Sequence, residues 1–391
     1  MKKLRIAFFG GTFVHQNIKK NCERLGAKCF LLDKSNKCYA YKDKDFFNLD
    51  FNNIKNTYKF LKEQNINFLY ISQSDVGITS IAKLNKLLDL PGIELPIAKR
   101  LTNKYEIRKT LKKNGFFQPE FFYAKKNNLN QKKIKVRNFL IKPIDSSGSR
   151  GIYDIDKKSN MLKLFKKSLK FSKSKKIIIE KKINGLEFGA QTFSIKGECK
   201  KVILHEDIMS LHNPKIPVGH IMPAKIFQSK EKKNIIEDIK KAINLLGVKN
   251  GPCNVDCIYT GDKKLFILEV SPRIGATCLP NMLKIFTEVD WDINTIKLFN
   301  GMRIKSIKEK KINVMSRVFE CQTNGYVKNI KIGKKIPNSN VKLLLKNNNK
   351  IEKFSDGTKL FGYIVAYSKK RQYLISNVAK VIRSIKINFK I

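Results

Sequence analysis

Asn254-Val255-Asp256-Cys257-Ile258-Tyr259-Thr260-Gly261-Asp262-Lys263-Lys264-Leu265-Phe266-Ile267-Leu268-Glu269-Val270-Ser271-Pro272-Arg273 is the stretch on which the reading of this chain turns. Two apolar runs, Val255 to Tyr259 and Leu265 to Val270, flank the polar turn Thr260 to Lys264, which is the pattern of a β-hairpin. A loop over Gly261 to Lys264, with Thr260 opposite Leu265, sets Asp256 opposite Glu269 and Asn254 opposite Ser271. Side chains alternate faces along a strand, so Glu269 and Ser271 share a face, and cross-strand neighbours on it can reach one ion. Two carboxylates and a hydroxyl are hard oxygen ligands suited to Mg²⁺, with Mn²⁺ as a substitute, and Mg²⁺ usually shares its sphere with substrate phosphates. Arg273, two residues on, can hold an anion with its planar fork. Taken alone, the hairpin reads equally well as an amphipathic ribbon with solvated acids.

The 391 residues are long for one core and imply two or three domains. Hydrophobic content of 42% is ordinary for a globular protein. There is no apolar run of membrane-spanning length, and the short run after Met1-Lys2-Lys3 reads as a buried first strand, not a secretory signal. The eight cysteines are scattered without zinc-site spacing, as expected of free thiols in a reducing cytoplasm. The net charge of +48 could suggest a nucleic-acid binder. However, Lys far outnumbers Arg, Asn, Ile and Phe are abundant too, and the lysines spread through every segment. That pattern fits A/T-rich codon usage better than a binding stripe, while a positive field would still draw anionic ligands such as nucleotides.

Strand and helix alternate through the first third: Leu4 to Phe9, a helix near Gln16 to Leu25, Lys28 to Leu32, Phe68 to Ile71, and a helix over Ile81 to Leu88. This predicts a parallel α/β sheet. Gly10-Gly11 lacks the glycine spacing of a dinucleotide-binding turn, although Asp33 could imitate its ribose-binding acid. From about Thr102 to Leu298 helices mix with antiparallel strands, an α+β pattern. The block from about Lys305 is strand-rich, with turns at Gly325, Gly333 and Gly357, and ends in a helix from Tyr373 to Ile385. Lys125 to Lys135 and Lys346 to Lys350 read as solvated loops.

Two further stretches carry chemistry. Phe139-Leu140-Ile141-Lys142 is a strand that runs into Ser146-Ser147-Gly148-Ser149-Arg150-Gly151, a small flexible loop whose N–H groups can approach phosphate oxygens, with Lys142 as a point charge beside them. It is not a P-loop, and a plain surface turn has the same composition. Ile177-Ile178-Ile179-Glu180-Lys181-Lys182-Ile183-Asn184-Gly185-Leu186-Glu187 is an apolar strand that breaks where its backbone could meet an adenine edge, with Glu187 within reach of ribose hydroxyls. A hairpin with exposed charges is the alternative.

Together these pieces resemble the ATP-grasp superfamily, in the branch of biotin carboxylase and the carbamoyl-phosphate synthetase large subunit. The order is Lys104, then strand, Lys142 and glycine-rich loop, then Glu180 and Glu187, then Asp256, Glu269, Ser271 and Arg273. The resemblance implies an α/β pre-ATP-grasp domain over residues 1–100, an α+β ATP-grasp domain over 101–303, and a small strand-rich closing domain over 304–391. It implies that Lys104 and Lys142 contact ATP phosphates under a closing loop that includes Ser147, Gly148, Ser149 and Gly151. Glu180, Lys181 and Ile183 would line the adenine hinge, and Glu187 would bind ribose. Asp256, Glu269 and Ser271 would hold Mg²⁺, and Arg273 would steady the transferred phosphate or the acyl phosphate. The family usually has Asn where Ser271 stands, and Ser reaches less far. His220, beside Gly219 in an expected loop, is a candidate substrate contact or proton carrier, with a structural loop histidine as the alternative.

The activity implied is that of a cytoplasmic, ADP-forming ligase joining a small-molecule carboxylate to an amine through an acyl phosphate, with a homodimer as the family's frequent assembly. A bicarbonate-activating carboxylase or carbamoyl-phosphate-type enzyme would use the same ATP site, although no biotin-carrier motif is present. A non-catalytic ATP-binding protein and a basic nucleic-acid binder are the readings from other classes.

Overall fold

The computed structural model describes residues 3–126, 129, 138–156, 159–212, 216–345, 348–355 and 359–390. Most of the expected loop over 125–135, positions 346–347 and the Gly357 turn lie outside them.

The first block is the parallel sheet that strand–helix alternation predicts. It comprises β1 (Arg5–Phe9), α1 (Phe13–Glu23), β2 (Lys28–Asp33), β3 (Phe46–Asn48), α2 (Ile54–Glu63), β4 (Phe68–Tyr70), α3 (Ile78–Leu88) and α4 (Leu95–Leu101), with strand order β3-β2-β1-β4. The turn after β1 is structural. The Gly11 N–H donates to Asp33 Oδ2 at 2.8 Å, and Gly10, at φ +137°, leaves room for the buried His15 ring, which a Cβ would meet at 2.5 Å.

A small antiparallel sheet follows. It contains α5 (Lys104–Lys113), β5 (Phe121–Ala124), β6 (Phe139–Pro143), β7 (Tyr153–Ile155), α6 (Met161–Leu169) and β8 (Ile177–Lys181), in strand order β5-β8-β6-β7. The chain then enters the large sheet through β9 (Leu186–Ile195), β10 (Glu198–Met209), β11 (Pro217–Met222), α7 (Ser229–Leu246), β12 (Gly251–Tyr259), β13 (Leu265–Ser271), α8 (Leu279–Thr287) and α9 (Trp291–Phe299). The rest is β14 (Asn313–Glu320), β15 (Gly325–Ile332), β16 (Ser339–Leu343), β17 (Lys350–Ile351), β18 (Leu360–Ser368), α10 (Arg371–Arg383) and β19 (Ile385–Phe389). The large sheet runs β13-β12-β9-β10-β11-β14-β18-β16, so strands beyond position 304 continue it without a break. The last helix ends at Arg383, and β19, which the helical reading of this segment had not anticipated, pairs with β15. Gly325 opens a strand rather than lying in a turn.

Alternation places the site. Phe188, Ala190, Val202, Leu204, Cys253, Val255 and Cys257 pack with Ile239 and Ile243 of α7 on one face of the sheet. The residues between them, among them Gly189, Gln191, His205, Asn254 and Asp256, take the opposite face. Farther along that face, Phe193 and Ile203 are covered by Met282 and Trp291 from α8 and α9.

Candidate functional site

The hairpin of β12 and β13 has the expected pairs at the end away from its turn: Asn254 opposite Ser271 and Asp256 opposite Glu269. Its turn end differs. Tyr259, not Thr260, lies opposite Leu265, because the register shifts between Asp256 and Cys257 and leaves Leu268 as the extra residue of a bulge. The bulge also explains why Leu265 and Ile267 face the α7 core while Glu269 and Ser271 face the site. Arg108 fills the space behind it, donating from Nη1 to the carbonyls of Leu268 at 2.6 Å and Ile267 at 3.1 Å.

Asp256 is pushed up to about 7, first by burial and then by the charges of Glu269 and Asp207. Lys104, Asn254 and Arg273 offset only part of this, and two opposed carboxylates with the Ser271 hydroxyl on the same face are hard oxygen donors that fit a divalent metal. Ser271 is buried on the Glu269 face, beside Asp75, whose ionised form it favours. Asn254 donates from Nδ2 to Asp256 Oδ1 at 2.8 Å.

Helix α5 brings two cations to the cleft. Its buried positions are Lys104, Ile107, Arg108 and Leu111, an amphipathic spacing with charged residues at two inward places. Lys104 Nζ lies 3.0 Å from Glu269 Oε2 and donates to the Ser146 carbonyl, so it ties the carboxylate hairpin to the glycine-rich loop. Glu180 is buried between Lys142, which donates to Oε1, and Arg108 Nε, 3.2 Å from Oε2. Burial opposes ionisation of Glu180, but Arg108 and Lys142 outweigh it and hold the carboxyl at about 2. Burial lowers Lys142 in turn, with Arg108 and Lys104 adding to the effect against Glu180. The Glu180 side chain therefore belongs to an internal ion-pair network behind the cleft. The Lys181 N–H is taken by Glu120 O at 2.8 Å, and Ile183 sits between β8 and β9, outside both ladders.

In the loop, Gly148, Ser149 and Gly151 have φ of +66°, +57° and +78°, left-handed conformations of the kind found where backbone N–H groups form anion-binding concavities. A Cβ on Gly151 would meet Pro143 and Phe171 at 2.9–3.0 Å. A cavity of about 870 Å³ lies between this loop, Lys104, Glu269, Ser271 and Asp75, and Ser146 and Ser147 line it. Lys181, Ile183 and Glu187 lie outside that cavity, at the strand break. Burial and the Asp207 charge raise Glu187 above its ordinary value.

Arg273 forms a two-point pair with Asp75 of the first block, Nε to Oδ1 at 2.9 Å and Nη2 to Oδ2 at 2.6 Å. Burial would raise Asp75, but Arg273 outweighs it and holds the carboxyl below its usual range. His220 is not in a loop. It lies in β11 opposite Asp207 of β10, buried, with Nδ1 2.7 Å from Asp207 Oδ1. His205 Nδ1 reaches the same oxygen at 3.0 Å.

Sequence reasoning gave no individual role to Arg108, Asp75, His205 or Asp207, although the stretches that hold Asp75 and His205 to His212 fit the resemblance. The signal for Arg108 was its place on the inward stripe of α5; that for His205 and Asp207 was their i, i+2 spacing on one strand face. Asp75 gave none, since its partner lies 198 residues away.

With this geometry established, likeness to known proteins is informative. Residues 101–277 match the family model described as the ATP-grasp domain. Phosphoribosylglycinamide synthetase from Anaerococcus prevotii superposes with a TM-score of 0.78 at 23% identity, covering 100% of both chains. L-amino acid ligase from Bacillus licheniformis gives 0.81 at 16% identity, again over 100% of both. N5-carboxyaminoimidazole ribonucleotide synthetase from Thermotoga maritima gives 0.75 at 13% identity, over 99% of this chain and 100% of the other. At these identities the likeness is one of fold. No curated protein matches the chain in sequence. The three blocks and the carboxylate hairpin define a multidomain nucleotide-site fold of the grasp type. Residues 101–277 are thus an ATP-grasp domain, set between two blocks that share the fold of these structures.

Proposed function

We propose that the protein is an ATP-dependent, ADP-forming carboxylate–amine ligase that works through an acyl phosphate. The observation that carries this reading is the opposed pair Asp256 and Glu269, in which burial and then the Glu269 charge push Asp256 up to about 7, with Lys104 bridging Glu269 to the glycine-rich loop. A phosphate donor placed there meets cations on one side and carboxylates that need a metal on the other. Family relatives whose names state ligase or synthetase activity share the fold.

In this reading Asp256 and Glu269 hold Mg²⁺ or Mn²⁺, and Ser271, engaged with Asp75, supports the pair from the same face. The metal supplies charge neutralisation at the transferring phosphoryl group. Lys104 and the loop N–H groups of Ser147, Gly148, Ser149 and Gly151 orient the phosphates, and Lys142 completes that charge when it turns from Glu180. The backbone at Lys181 and Ile183 meets adenine, and Glu187 meets ribose. Arg273, fixed by Asp75, steadies the acyl phosphate, whose phosphate is a far better leaving group than an oxide. Closure of the loop keeps water from the intermediate. The three-domain division at 100 and 303, a homodimeric assembly and a cytoplasmic setting belong to the same reading. The last is supported by eight free cysteines, and among the described residues no helix is long and apolar enough to cross a membrane.

The test is MgATP with a panel of carboxylates and hydroxylamine, which traps acyl phosphates as hydroxamates. Carboxylate-dependent hydroxamate supports the reading. Bicarbonate-dependent ADP release without any hydroxamate would move the assignment to bicarbonate activation.

A further inference from the structure

We propose that His220 Nε2 is the proton acceptor for the amine nucleophile, with Asp207, His205 and Gln191 as positioning residues; this deepens the ligase reading and rests on it. Asp207 and His220 face each other in register across β10 and β11, and His205, two residues before Asp207, shares their face. Gly189 lies opposite both His205 and Asp256, and Asp256 lies opposite Glu269. One row of the sheet therefore leads from the carboxylate pair to the histidines. The row has room for an imidazole only because residue 189 is glycine: a Cβ there would stand 2.2 Å from His205 Cε1.

The hydrogen bonds fix where the protons sit. The Gly275 N–H donates to Gln191 Oε1 at 2.9 Å, which makes the other end of that amide the donor. Gln191 Nε2 then donates to Asn254 Oδ1 at 2.6 Å and to His205 Nε2 at 3.2 Å. His205 Nε2 is thus an acceptor, and its proton is on Nδ1, pointed at Asp207. Burial lowers His205 below its usual value, which keeps it neutral. An ionised Asp207 can only accept, so the His220 Nδ1 that touches the same oxygen is also a donor. What remains is the lone pair of His220 Nε2, for which the described residues offer no hydrogen-bond partner. The His220 side chain keeps 6% of its surface open and that of His205 2%. A carboxylate that orients an imidazole and stabilises its charged form is the device that makes histidine a general base.

The ligand atoms of His205, Asp207 and His220 lie within 4.8 Å of one another, close enough to consider a metal ion. Coordination through Nδ1 would require the opposite His205 tautomer from the one Gln191 sets, so the cluster is built as a hydrogen-bonded relay.

The step balances. An amine arriving as R–NH₃⁺ gives one proton to His220 Nε2. Its freed electron pair forms the bond to the acyl carbon, and the bond from that carbon to the phosphate oxygen breaks. The second proton leaves with the departing phosphate as HPO₄²⁻, and the His220 imidazolium returns its proton to solvent. The substrate class is a primary amine that is protonated at neutral pH.

Two measurements test this. Long-range ¹H–¹⁵N correlation spectra of the ¹⁵N-histidine protein read each tautomer without any substrate. His220 is expected with the proton on Nδ1 and Nε2 bare, a state that D207N should abolish; an Nε2–H tautomer in the wild type overturns the proposal. Kinetically, amide formation from the amine is compared with hydroxamate formation from hydroxylamine, which is already unprotonated. H220Q should lower the amide-to-hydroxamate ratio about 100-fold or more. Equal loss of both, or loss of neither, overturns it. A wild type that forms no hydroxamate with any carboxylate strikes at the ligase reading instead, and the spectra still decide the dyad.

Discussion

Replacing Arg108 by Met keeps the length and apolar bulk of a fully buried side chain and removes its charge. Two losses follow. Glu180 loses one of the two cations that hold it at about 2 against its ordinary value of 4.5. That depression is equivalent to about 3 kcal/mol of folding stability, shared between Arg108 and Lys142. The carbonyls of Ile267 and Leu268 also lose their donor, at about 1–3 kcal/mol if either is left unsatisfied. R108M should therefore be destabilised by about 3–5 kcal/mol at pH 7, the usual cost of breaking a buried pair from one side. The pH dependence has a definite sign. A depressed carboxyl pKa contributes stability above about 4.5 that is lost as pH falls towards about 2, so the gap between wild type and R108M should narrow in that window. The double variant R108M/E180Q should recover part of the loss, because no unpaired carboxylate remains. Urea unfolding at pH 7 and near pH 3 reads all three. A single variant within about 1 kcal/mol of wild type at pH 7 would refute the reasoning.

Other consequences are as direct. Because Asp256 is raised to about 7 from 3.8, this group makes the metal-free protein less stable as pH rises from about 4 to about 7. Mg²⁺ must displace its proton, so apparent Mg²⁺ affinity should climb by up to about tenfold per pH unit below pH 7 and level off above; thermal shifts with MgCl₂ at pH 6 and pH 8 that came out equal would contradict this. Gly189→Ala drives a methyl group into the His205 ring and should cost about 1–3 kcal/mol, read by chemical denaturation, with a shift of the His205 ring resonances. Asp75→Asn removes one charge from the two-point pair with Arg273. It should slow acceptor-dependent ADP release about tenfold or more, since it loosens the cation positioned for the acyl phosphate; release within about twofold of wild type would contradict this.

How much was legible in the sequence depended on whether a residue's partner was close along the chain. The parallel first sheet followed from strand–helix alternation. The expected pairing of Asp256 with Glu269 is found, but the turn lies one residue away from its expected register and the bulge at Leu268 makes up the difference. The bulge at Leu268 was not legible, because it is stabilised by Arg108, about 160 residues upstream. Lys142 and Glu180 were chosen for a nucleotide and turned out to be paired with each other. That pairing depends on β6 and β8 being neighbours, which local pattern does not encode. His220 was placed in a loop because Pro217 and Gly219 break strand propensity. Pairing on both sides, with β10 and β14, overrides that local preference. Asp207 was hidden for the same reason, as its role appears only when two strands bring three side chains to one oxygen.

The central claim is that the opposed carboxylates serve ATP-driven activation of a carboxylate. The most direct measurement is ADP and phosphate release from MgATP across paired carboxylates and amines, with wild type beside E269A. Release that requires both acceptors and vanishes in E269A is the predicted result. No binding of MgATP by the wild type, or acceptor-dependent release that survives in E269A, would contradict it.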